Sequence, residues 1–218
     1  MKRRSLAPPK QRNYQYGYEL ALKLASQKLA SINMEEQCQK AGAELKLLTS
    51  KKIITLVYLN QSYQITLPEM DVSLLGSQEP VQPREKLLML HYLIRASGSP
   101  ITGTKITYKE LPDGASYFPT FYKRAIKPLV DNFSKEPNRL LYAAKKLGSH
   151  RTDYGDLSVT INAFSRVPLT LVLWYGDDEL VPEGSILFDS NISAYLSAED
   201  ITVLCETIAW RFVKTSRG

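Results

Sequence analysis

A chain of 218 residues with 44% hydrophobic and 23% charged residues is long enough to bury one substantial core and lies far from the composition of intrinsic disorder. The net charge of +6 and pI near 9.2 suggest nucleic acid at first, but five bases and no acid fall within residues 1–12, leaving the rest at +1; specific nucleic-acid binding is not expected, only weak contact through that tail. No run approaches the ~18 consecutive apolar residues of a membrane-spanning helix, and no apolar segment follows the first bases as in a signal peptide, so a cytoplasmic protein without membrane association is expected.

Residues 1–13, with a proline pair among the bases, read as a flexible tail, and a single globular domain is expected over residues 14–218. Leu20, Leu24, Ala25, Leu29 and Ile32 recur at helical spacing and predict an amphipathic helix. Asn33 with Glu36 makes a capping box for a second, short helix ending near Gly42. The period then changes: KIITLVYL and SYQITL, rich in β-branched and aromatic residues, predict a hairpin turning at Asn60-Gln61-Ser62, with AELKLL as a third strand. Pro83 suits the first turn of a helix that runs to Gly98 and is apolar almost all round, the signature of a central helix.

Beyond it, KITYKEL reads as a strand, and SYFPTFYKRAIKPLVDNF as helix limited to short pieces by Pro119 and Pro128. Ser134 is placed to cap a helix through Leu147, closed by Gly148. LSVTINAF, PLTLVLWY and SILFD predict strands, and a last amphipathic helix opens on a capping box of Ser197 and Asp200. Antiparallel strands in two clusters, packed with about five or six helices, predict a single-domain α+β fold.

His91 stands out because it lies mid-helix among Leu87, Leu88, Leu90 and Ile94, where an imidazole needs a partner: a backbone carbonyl, a carboxylate, or the metal of a tetrapyrrole. Arg95, one turn on, can pair with a ligand carboxylate or with the acids of the C-terminal third, which from Val167 to Trp210 carries eight acids and no base. Tyr117, Phe121 and Arg124 sit in an aromatic and basic stretch able to stack a flat ring and hold an anion, or to pack into the core. Asp177, Asp178 and Glu179 offer oxygen ligands for a divalent ion, though their spacing matches no calcium loop and a solvated turn is the alternative. His150, in GSHRTDYGD, reads as a loop histidine. Cys38 and Cys205 are the only cysteines; they cannot build an iron–sulfur cluster or a cysteine zinc site within the chain and are expected as packed thiols. No nucleophile elbow and no glycine-rich phosphate loop occurs.

In that order, the segments LLMLHYLIRASGSPITG, KELPDGASYFPTFYKRAIKPLVDNF and VPLTLVLWYGDDELVPEGSILFDSNISAYLSAED resemble the domain-of-unknown-function 3786 family over residues 14–212. The resemblance implies a protein of anaerobic bacteria or archaea, some of whose relatives look like fusions to a four-cysteine iron–sulfur module; lacking those cysteines, this chain needs a separate iron–sulfur or corrinoid protein as partner for any electron transfer. The expectation is a non-catalytic cofactor-binding or accessory protein of anaerobic metabolism, with a corrinoid or haem contacted by His91, Arg95, Tyr117, Phe121 and Arg124. The alternatives are an enzyme acting through Asp177, Asp178 and Glu179 with either His150 or a divalent ion, metal-dependent in the latter form, and a weak nucleic-acid binder through the tail.

Overall fold

The computed structural model describes residues 11–217, and the side chains of residues 17–217. Residues 1–10 of the basic tail lie outside the described residues, and residues 11–13 already belong to the first helix. In chain order come α1 (Gln11–Ala30), α2 (Met34–Ala41), β1 (Glu44–Leu47), β2 (Lys52–Tyr58), β3 (Gln61–Leu67), β4 (Asp71–Leu74) and α3 (Pro83–Arg95). Next are β5 (Lys105–Thr107), α4 (Gly114–Phe121), α5 (Lys127–Phe133), α6 (Pro137–Lys146), β6 (His150–Thr152), β7 (Leu157–Phe164), β8 (Val167–Trp174), β9 (Glu183–Asp189) and α7 (Ala198–Thr215). No described helix is long and apolar enough to cross a membrane.

The expected α+β class is what the structure shows, with the two strand clusters fused into one nine-stranded antiparallel sheet of order β4-β3-β2-β7-β8-β9-β5, where β1 also pairs with β2 and β6 with β7. The clusters meet at one register pair, Tyr58 opposite Phe164. Tyr92 of α3 stacks on Phe164 at 4.0 Å with its hydroxyl donating to Ala41 O at 2.6 Å. The central helix is therefore seated against the seam, and its apolar surface is covered chiefly by α1, with α2 and α7 also packed on it. Ile54, Leu56 and Tyr58 of β2 and Tyr63, Ile65 and Leu67 of β3 alternate into the core, as a half-buried hairpin requires.

Several local expectations are corrected. The hairpin turns on Leu59 and Asn60, both at positive φ (49° and 58°), the geometry that a two-residue loop needs to match strand twist; Gln61 and Ser62 already pair in β3. Helix and π turns run without a break from Gly114 to Phe133: a π turn over Tyr122–Ile126 precedes Pro128 and absorbs the donor that proline lacks. Ser134 ends α5 and does not cap α6, whose N-cap is Glu136. The expected strand at KITYKEL is only three residues of β5 before a single 3-10 turn, and β4 and β6 had no clear alternation to announce them.

Candidate functional site

The helix pair α3 and α7 brings His91 to the capping box that opens α7. Ser197 accepts from Asp200 N–H at 3.2 Å, while its own N–H and Oγ donate to Asp200 Oδ2 at 3.2 and 2.5 Å. That reciprocal cap starts α7 and fixes the Asp200 side chain. The other carboxylate oxygen meets His91 Nδ1 at 2.7 Å, so of the three partners open to His91 the fold supplies a carboxylate. His91 keeps 34% of its side-chain surface exposed, against 11% for Asp200. Burial raises the Asp200 pKa, but the hydrogen bonds from His91 and Ser197 outweigh it and hold the carboxyl below the usual aspartate range. With Nδ1 committed to a carboxylate, Nε2 is the ring atom that can meet a ligand or a proton.

The same first turns of α7 are anchored on their other side. Tyr108, stacked on Phe121 at 3.9 Å, donates to Ala198 O at 3.2 Å and lies 2.9 Å from Thr202 Oγ1. Arg124 donates to Glu206 at 2.8 Å and lies 3.8 Å from Glu199; desolvation opposes its charge, but these carboxylates prevail and raise its pKa. Acids of the C-terminal third thus meet bases of the body within one chain.

The expected cofactor residues separate into four settings. His91 lies on α3, and Arg95, one turn along it, is exposed. Phe121 is fully buried, with a ring face committed to Tyr108, so it packs the core and cannot stack a ligand, whereas Tyr117 is exposed. Arg124 lines a cleft of about 550 Å³ with Lys123, Glu206 and Trp210, which His91 does not line. Asp177, Asp178 and Glu179 are exposed. Asp177 Oδ1 accepts from Glu179 N–H and Leu180 N–H at 2.9 and 2.8 Å, bonds that lower its pKa and tie this oxygen into an exposed turn. Among the described residues no three His, Cys, Asp or Glu side chains converge as a metal site needs. His150 is the first residue of the exposed edge strand β6 and not a loop residue. Both thiols are buried and free; burial pushes Cys38 up to about 11 and Cys205 higher still, which makes them inert.

Two buried constellations had no sequence signal. Glu85, 8% exposed, accepts from Arg211 Nη2 at 2.5 Å, and that guanidinium lies 5.5 Å over the Tyr58 ring; the partners are 126 residues apart, beyond any local pattern. Asp189, 1% exposed, takes the N–H groups of Thr102, Gly103 and Asn191 at 3.0, 2.7 and 3.1 Å and the Thr102 hydroxyl at 2.9 Å. These donors overcome its desolvation and keep it ionised, its pKa lowered, so it staples the loop before β5 to the end of β9.

No curated protein and no solved structure matches the chain. Residues 33–211 match the family described as Domain of unknown function (DUF3786), a span that takes in α3, the capped start of α7 and both sheet halves, and the chain belongs to that family.

Proposed function

We propose that this domain is a non-catalytic cofactor-binding or accessory module of the cytoplasm, and that its ligand is a metal-centred tetrapyrrole, a corrinoid or haem, met by Nε2 of His91. The observation that carries the proposal is the 2.7 Å contact between His91 Nδ1 and Asp200. A histidine that ligates a metal commonly gives its other nitrogen to a carboxylate, which fixes the tautomer and the ring plane and raises ligand basicity. Two features support the reading: a one-third exposed imidazole so oriented, and the exposed Arg95 one turn along the same helix, a cation suited to a propionate or other carboxylate. The ligand itself would supply the redox or group-carrying chemistry; the protein's part is to orient the imidazole and hold its proton on Nδ1. Two cysteines, both buried, hold no cluster, so an anaerobic role with electron transfer uses a separate iron–sulfur or corrinoid protein. The Asp177 turn gives the metal-enzyme reading no support.

Titration of the full chain with haemin and with hydroxocobalamin, followed by absorption spectroscopy, tests the proposal. Shifted bands that are lost in His91→Ala and weakened in Asp200→Asn are expected. Unperturbed spectra, or the same bands in His91→Ala, would overturn it.

A further inference from the structure

On the far side of the molecule from the capped start of α7, its last turn, the last turn of α6 and the β2–β3 turn enclose a cleft of about 600 Å³ lined by Asn60, Gln61, Lys145, Lys146, Arg211 and Lys214, among others. We infer that this cleft binds a small soluble phosphate monoester through Lys145, Lys146 and Lys214. Arg211 is a fixed part of the wall: Nη2 is held by Glu85 at 2.5 Å and Nη1 by Gln61 Oε1 at 3.3 Å, so its charge is already balanced. The three lysines are exposed and have no carboxylate within ion-pair distance among the described residues; Lys146 rests over the Tyr142 ring at 5.6 Å.

The bland account of such lysines is that they neutralise helix ends. Two C-terminal macrodipoles supply about one negative charge together, roughly half a unit each, and the α6 end is satisfied in another way. Asn60 Nδ2 donates to the carbonyls of Leu147 and Gly148 at 2.7 and 3.1 Å. Three ammonium groups without a carboxylate partner against one unit of dipole leave an excess of about two positive charges, which a phosphate monoester matches, since it carries roughly −1.5 to −2 at neutral pH. Lysine ammoniums are point charges on flexible stems that suit tetrahedral phosphate oxygens, whereas the arginine fork that would select a planar carboxylate is occupied. The cleft is larger than phosphate alone, and Leu59 and Leu147 on its wall leave room for an organic body on the ester.

Calorimetric titration of the full chain with phenyl phosphate at low salt tests the inference. Single-site binding is expected, weakened roughly tenfold by the pair Lys145→Gln and Lys214→Gln and diminished by added salt. A full-length variant carrying Lys2→Gln, Arg3→Gln and Arg4→Gln should bind like the parent. All three cleft lysines are exposed, so these variants keep the fold, as circular dichroism run beside each titration checks, and Lys146→Gln repeats the test at a third position. Absence of saturable binding, binding indifferent to the cleft variants, or binding lost in the tail variant each overturns the assignment.

Discussion

Replacing Asp200 with asparagine probes the join between α3 and α7 most directly. The carboxylate holds three groups: His91 Nδ1 at 2.7 Å, Ser197 Oγ at 2.5 Å and Ser197 N–H at 3.2 Å. Asparagine removes the charge and turns one acceptor into an amide donor, which either faces a donor on Ser197 or moves the His91 proton from Nδ1 to Nε2 so that Nδ1 accepts. A hydrogen bond to a charged group contributes ~1.5–3 kcal/mol, and a helix cap about 1 kcal/mol, so a loss of about 3 kcal/mol at neutral pH is expected from the two together. Urea unfolding of the parent, His91→Ala, Asp200→Asn and the double variant gives the coupling between the two side chains; about 1.5 kcal/mol is expected, against roughly 0.3–0.5 for independent sites. Simple additivity would show that the 2.7 Å contact contributes nothing specific.

The acid side offers a second reading of the same pair. The folded carboxyl titrates below its unfolded value, so as pH falls the unfolded chain takes up the proton first. Its stabilisation is complete above the ordinary aspartate value of about 3.9 and is lost as pH falls through the lower folded value. The gap between parent and Asp200→Asn must therefore close on acidification below about pH 4. A gap that widens there refutes the assignment.

Gly114→Ala would set a new Cβ 1.9 Å from the Tyr108 carbonyl oxygen, and moving that turn also disturbs the Tyr108 anchor on α7; a destabilisation of about 3 kcal/mol in thermal unfolding is expected, and an unchanged melting curve would contradict the packing. Cys38 and Cys205, raised by burial to about 11 and beyond, should resist iodoacetamide at mildly alkaline pH and react only in denaturant. Alkylation of native protein as fast as a free thiol would mean that one of them is open.

What was legible in the sequence followed from short-range rules. The Ser197–Asp200 cap and the apolar spacing of α7, the αL stop at Gly42, the alternation of β2 and β3 and the buried runs of β7 and β8 each depend on residues a few positions apart, and all appear where local chemistry put them. The special status of His91 was legible too, because an imidazole in an apolar helix must find a partner; which partner was not, since Asp200 lies 109 residues away. Tertiary structure alone decided that the two strand clusters fuse at Tyr58 and Phe164, that Phe121 is core, that Glu85 balances Arg211, and that lysines from α6 and α7 face one cleft. The physical reason is the same in each case: periodicity and capping act within one or two turns of chain, whereas a shared charge, a stacked ring or a wall of a cleft depends on how whole elements pack, and that is settled by the burial of the entire core at once.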